Sequence, residues 1–307
     1  MVVRKPILPG ITPRNIGELA VVTCHFNWAG FRAPAANLRR FLRQMRAFKI
    51  PVYGMELQMK GRPFVTEGES NWTRLTVSPD HMLFQKEACI NAIVAKLPPQ
   101  FKFVAWVDAD VEFTNHAWPD IAKALLTVTP VIQLFDVAVW TDREGLANKQ
   151  RKSCVQTGMD RSWKGHPGFA WAARRELWTE YGGLYAQTPI GHGDTIFALA
   201  AMKQHMLDDH GMHHGVGINP VKHDLWKKRI GEFTKGQCLF VPGECWHEWH
   251  GDLANRKYWE RSTVLKNMDC EKHIAVDRDG LLKWSSYATP AMKEFVTNYF
   301  HQRKEDE

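Results

Sequence analysis

"FKFVAWVDADVEF", Phe101 to Phe113, sets two aspartates at the end of an apolar run. Its part "FVAWV" shows no polar–apolar alternation, which is the pattern of a strand buried on both faces of a parallel sheet. Asp108 and Asp110 follow at the carboxyl end of that strand, one residue apart. In open α/β sheets this end is where ligands bind. Two carboxylates so close repel each other. The pair therefore reads either as a solvated turn or as a site for a divalent cation, which takes carboxylate oxygens and neutralises the repulsion. Such a cation could bridge the pair to a diphosphate.

Working outward, Ser78-Pro79 is a helix start, and "DHMLFQKEACINAIVAKL" predicts one helix that stops at Pro98-Pro99. Before it, "ELAVVTC" predicts a strand, and "HFNWAGFRAP" a loop. A helix follows whose buried stripe is Leu38, Phe41, Leu42 and Met45. "PVYGMEL" predicts a second strand and "QMKGRPFVTEGESNW" a surface loop. After the aspartates, "PVIQLFDVAVW" predicts one more strand, and Thr141 to Gly165 a basic, mobile loop. "GHPGFAWAARRELWTEYGG" predicts a strand running into a short helix, and "TIFALAAMKQH" a helix. The last recognisable unit is "ECWHEWHGDLANRKYWERSTVL", and the acidic "KEDE" is expected to fray. This alternation of strands and helices implies a mostly parallel α/β sheet.

With 307 residues, 44% of them hydrophobic, the chain can bury a sizeable core and is not of a disordered class. No apolar run reaches the roughly 20 residues that cross a bilayer. "MVVRKPILPG" lacks the apolar region of a signal peptide, so the cytoplasm is the expected location. The six cysteines are scattered without a CxxC pair, against a zinc ribbon or a disulfide framework, and read as buried free thiols. A net charge of +7 suits a polyanionic acceptor or a phosphorylated ligand. Thirteen tryptophans either fill a core or stack on a sugar or base.

Two further motifs bear chemistry. "WHEWHGD" looks like a zincin HExxH, but His247 and His250 are three apart, so the i, i+4 geometry of a helical metalloprotease site is missing. His250 can still complete a carboxylate site for Mn²⁺, or it is an ordinary surface histidine. In "IGHGDTIFA", Asp194 opens a helix after a Gly-His-Gly turn. Aspartate there is a preferred N-cap, and it is equally placed to act as a general base toward a substrate hydroxyl.

From about Leu19 to about Leu265, the chain resembles nucleotide-sugar glycosyltransferases of the GT-A fold. The resemblance rests on "FQKEACINAIVAKL" leading into "VAWVDADVEF", then "GFAWAARRELWTEYGGL", "GHGD" and "HGDLANRKYWER", in that order. It implies an α/β, Rossmann-like fold with a mixed, mostly parallel sheet flanked by helices. Residues 1–270 would form this domain, and 271–307 a C-terminal extension ending in a helix. It also implies an inverting, metal-dependent transfer from a UDP-sugar, with Mn²⁺ or Mg²⁺ as cofactor. Asp110 and His250 would bind the metal, with Asp108 near both metal and donor ribose. Thr23, Asn27, Lys86, Asn91, Arg256 and Arg261 would hold the donor, and Asp194 would be the base. "KEACINAIVAKLP", "AWVDADVEF" and "HGDLANRKYWER" are similar to phage-type enzymes that glucosylate hydroxymethylated pyrimidines in DNA, base J included. That likeness implies a DNA acceptor met by Lys149, Arg151, Lys152, Trp163 and His166, and a host-cytoplasmic location if phage-encoded. A cell-surface glycan acceptor, or a non-catalytic module gripping nucleic acid, are the alternatives.

Overall fold

The computed structural model describes residues 17–158, 165–203, 218–257 and 268–307. Its centre is a seven-stranded sheet. The first half supplies β1 (Leu19–Phe26), α1 (Arg32–Ala47), β2 (Val52–Met59), β3 (Trp72–Val77), α2 (Lys86–Ala95) and β4 (Phe103–Val107). Then come β5 (Val111–Phe113), α3 (Trp118–Val128), β6 (Val131–Gln133), β7 (Val137–Thr141), β8 (Ala147–Lys152) and α4 (Cys154–Thr157). β9 (Ala170–Arg174), α5 (Glu176–Thr179), α6 (Gly193–Ala201), α7 (Pro220–Thr234), β10 (Cys238–Phe240) and β11 (Glu244–His247) follow. The central order is β10-β6-β9-β4-β1-β2-β3, and only β9 runs against its neighbours. A smaller sheet, β5-β11-β7-β8, stands at the carboxyl end of β4. The expected α/β architecture, a mixed and mostly parallel sheet flanked by helices, is what the chain adopts.

β4 shows why its apolar run is unbroken. Val104 and Trp106 enter one core with α2 and α6, while Ala105 and Val107 enter the other with α1 and α3. Strands covered on both faces need apolar residues at every position. The stripe Leu38, Phe41, Leu42 and Met45 of α1 is buried as its spacing demands. Ile274, Leu282, Val296 and Phe300, from the segment that ends with the helix Pro290–Gln302, join the α2 side of the core. All six cysteines are free, and no described helix is long and apolar enough to cross a membrane.

Four local expectations fail. The helix foreseen from Ser78 is a 3₁₀ turn, Pro79–His81, and α2 starts only at Lys86. The Gln85 side-chain amide donates to His81 and Leu282 carbonyls, which holds the break open. "PVIQLFDVAVW" divides into β6 and β7, which belong to different sheets. Lys149, Arg151 and Lys152 sit on β8, an exposed edge strand paired antiparallel with β7, instead of on a mobile loop. The Asp142 carboxylate, accepting from the Glu144 and Leu146 amides, makes the hairpin turn. "KEDE" does not fray either, since Glu305 is buried at 6% exposure.

Candidate active site

The two aspartates beyond β4 point to different partners. Asp108 Oδ1 lies 2.6 Å from Lys86 Nζ, at the first turn of α2. The same ammonium lies 2.9 Å from both carboxylate oxygens of Asp194. Burial works against the lysine's charge, but Asp108 and Asp194 outweigh it and hold its pKa well above the ordinary value. One cation serves two carboxylates, so Asp108 is undercompensated. Burial, helped by Asp194 and Asp110, lifts it to about 7 despite Lys86. Asp194 lies in the first turn of α6 but is not its cap, because that position falls to His192 in a left-handed conformation. Behind it, Gly193 is packed so closely on Glu87 that a Cβ would stand 1.9 Å from Oε1.

Asp110 faces the other way, toward β11. Its Oδ2 is 3.0 Å from His250 Nε2 and 3.6 Å from His247 Nε2, and the two ring nitrogens are 3.1 Å apart. Ligands about 2.0–2.2 Å from a shared divalent ion stand roughly 3.0–3.6 Å from each other, so this triangle fits three ligands of one metal. Asp110 Oδ1 is buried with no hydrogen-bond partner, as expected of a carboxylate shaped for a cation. Burial alone would raise the Asp110 pKa, but the facing histidines and Arg256 reverse it and keep the group a carboxylate. Burial pushes His247 down to about 4, leaving the neutral imidazole that a metal requires.

The histidine face is backed by rings. Phe169 stacks on His247 at 5.0 Å, and Trp140 and His166 pack on Phe169. Phe169 is held at φ +75°, a strained value for a bulky residue, which this enclosure maintains. In front, a cleft of about 400 Å³ is bounded by Trp140, Arg143, Lys149, Trp249, His250 and Arg256. Arg143 lies over the Trp249 ring and Lys149 over Trp140, so cations and flat apolar walls alternate around the opening.

The structure thus brings together Lys86, Asp108 and Asp194 in one group, and Asp110, His250 and Arg256 in another. His247, in place of the expected Asp108, clusters with Asp110 and His250 in a group that could hold a metal ion, while Asp108 Oδ1 contacts Lys86. Thr23, Asn27 and Asn91 turn their side chains into the fold. Thr23 Oγ1 donates to the Val107 carbonyl, and Asn27 shapes the loop before α1 by accepting from the Gly30 and Phe31 amides. Asn91 joins Trp178 to Leu184. His166 packs against the rings behind His247 and does not line the cleft. Trp163 and Arg261 lie outside the described residues. His247 and Glu305 went unassigned in the sequence. The pair lacks the i, i+4 spacing of the helical zinc motif, but here His247 ends a strand and His250 follows in the irregular segment after it. Glu305 gave no signal, since nothing in "KEDE" links it to a site 55 residues away.

No protein-family model and no curated protein matches the chain. Among solved structures, it is similar to the catalytic domain of Drosophila β1,4-galactosyltransferase 7 in complex with xylobiose, at 14% identity and a TM-score of 0.35, over 59% of each chain. It is also similar to glucosyl-3-phosphoglycerate synthase from Mycobacterium tuberculosis in complex with Mn²⁺, UDP and phosphoglyceric acid. There the identity is 14% and the TM-score 0.42, over 87% of this chain and 85% of that one. A third likeness is 4-diphosphocytidyl-2C-methyl-D-erythritol synthase from Anaerococcus prevotii, at 10% and 0.36, over 75% and 90%. These are distant likenesses, and what the site can do follows from its own residues.

Proposed function

We propose that the chain is a divalent-metal-dependent, inverting glycosyltransferase of the GT-A type, moving a sugar from a UDP-sugar to a hydroxyl group. The observation that carries this reading is the Asp110–His247–His250 triangle beside the Lys86-bridged Asp108–Asp194 pair, at the carboxyl end of a mostly parallel sheet. When bound, Mn²⁺ or Mg²⁺ supplies charge stabilisation for a departing diphosphate. Arg256, with Arg143 and Lys149 around the cleft, adds fixed cations for the same charge. Asp194, partly exposed and oriented by Lys86, takes the proton from the acceptor hydroxyl. The acceptor oxygen bonds the anomeric carbon from the face opposite the diphosphate as that bond breaks, which inverts the configuration.

For the acceptor we propose a hydroxymethylated pyrimidine in DNA. The basic balance and the exposed cationic β8, whose Lys149 reaches the cleft, support this choice. The test is mass spectrometry of hydroxymethylpyrimidine DNA after incubation with UDP-glucose and other UDP-sugars in Mn²⁺. A sugar-sized mass gain that disappears in EDTA and in Asp194→Asn is expected. Transfer to a saccharide but never to DNA would move the acceptor to a glycan. Tight DNA binding with neither transfer nor donor hydrolysis would make the chain a binding module.

A further inference from the structure

Residues 303–307 follow the helix Pro290–Gln302 and return to the carboxyl end of the sheet, behind the histidine face. Glu305 Oε1 stands 2.9 Å from His250 Nδ1, 3.2 Å from Arg256 Nη2 and 2.5 Å from Arg303 Nη2. A carboxylate only accepts, so the ring nitrogen facing it carries the proton. The other nitrogen, Nε2, then keeps its lone pair, 3.0 Å from Asp110 Oδ2. Arg256 Nη2, which also only donates, stands 2.8 Å from Nδ1 and 3.1 Å from Nε2, and its charge is answered by Glu305 Oε1 at 3.2 Å.

The neighbours of Glu305 explain how it is held there. The Asp306 carboxylate accepts from the Arg32 and Ala33 amides at 2.8–2.9 Å, at the start of α1, which has no side-chain cap nearer in sequence. Gly251, directly after His250, lets the segment pass. At its φ of +85°, a Cβ would stand 2.8 Å from the Lys304 carbonyl oxygen and 2.9 Å from Glu305 Cα, both backbone atoms. One acidic residue, Glu305, thus contacts a histidine, and the next, Asp306, holds the start of a helix.

We infer that Glu305 is a positioning residue for the metal site, fixing the tautomer and the ring plane of His250 so that Nε2 points at the ion. The inference rests on the metal reading above and deepens it. Histidines that ligate metals commonly donate their second nitrogen to a carboxylate, and losing that partner typically weakens metal binding about 10–100-fold. A carboxylate serving only as counter-ion to Arg256 and Arg303 would leave metal affinity and tautomer alone.

Two measurements on the full chain, without donor, separate these roles. Mn²⁺ titration by calorimetry reads affinity, and ¹⁵N NMR of the metal-free protein reads which His250 nitrogen carries the proton. Glu305→Gln keeps the shape and removes the charge; Glu305→Ala removes the acceptor. Both are expected to weaken Mn²⁺ by about 10–100-fold, the alanine more, and to move His250 from an Nδ1–H form toward a mixture. Wild-type Mn²⁺ affinity and unchanged ¹⁵N shifts in folded Glu305→Gln overturn the inference and leave the metal site standing. Absence of Mn²⁺ binding by the wild-type protein overturns both.

Discussion

Lys86 sets the charge balance around Asp194, because one buried ammonium must answer Asp108, Asp194 and the adjoining Glu87. Asp194 relies on it for orientation. Asp194→Asn should therefore lose the proton acceptor and half of an ion pair together. We expect turnover to fall about 10²–10⁴-fold, with Mn²⁺ affinity unchanged. A fall below tenfold in steady-state kinetics would hand the proton to another group. Glu87 bears the cost of this crowding. Burial, together with Asp194, lifts it to about 7, even though Lys86 pulls it down. Its folded pKa is above the unfolded value of 4.5, so the folded protein holds the proton longer, and stability falls as pH rises from about 4.5 to 7. The shift is worth about 3 kcal/mol. Glu87→Gln should flatten that fall, so that urea midpoints at pH 8 exceed those of wild type while those at pH 4 do not. At this scale the sequence exposed the acids and His250, because each stands beside a strand end or a glycine turn. It hid Lys86's double pairing, His247 and Glu305, which only become neighbours once distant segments meet.

Among the elements, α1 has a start that its own residues do not cap. Phe31 stands at its N-cap, and Asp306 supplies the missing acceptor from 273–274 residues away. Asp306→Ala should cost about 0.5–2 kcal/mol in chemical denaturation, the usual value of a missing cap. No change in midpoint would mean that water serves the helix end as well. β8 is the other exposed dependency. Its cations lie on an exposed edge, and Lys149 also overhangs the cleft, so Arg151 and Lys152 are the cleaner probes of an acceptor. Neutralising both should lower the salt slope of duplex DNA binding by up to roughly 0.9 for each phosphate they had neutralised, without moving the Kd for UDP-sugar. An unchanged slope would detach β8 from DNA. The long double-sided strands and α1 were legible because burial imposes a pattern on them. β8 was not, since water on both faces imposes none. The break before α2 was not either, since it depends on a hydrogen bond between Gln85 and Leu282.

Across the whole molecule, the proposed metal triangle gathers residues from the end of the central sheet, the smaller sheet and the segment after it. Asp110 lies where the chain leaves β4 of the central sheet for β5 of the smaller one, and His247 ends β11 of that smaller sheet. His250 lies in the irregular segment beyond, backed by Glu305. An ion gripping these groups binds the folded arrangement and not the unfolded chain, so it must raise global stability. At a hundredfold excess over its Kd the gain is about 2.7 kcal/mol, a rise of several degrees in Tm that EDTA reverses. Asp110→Ala, His247→Ala and His250→Ala should each erase the Mn²⁺-dependent rise. Asp108→Asn should keep it, because Asp108 is turned toward Lys86. That last variant makes the experiment decisive between two ligand sets. A rise that survives in His247→Ala but vanishes in Asp108→Asn would put the ion between the two aspartates and His250, and would reduce His247 to a wall of the cleft.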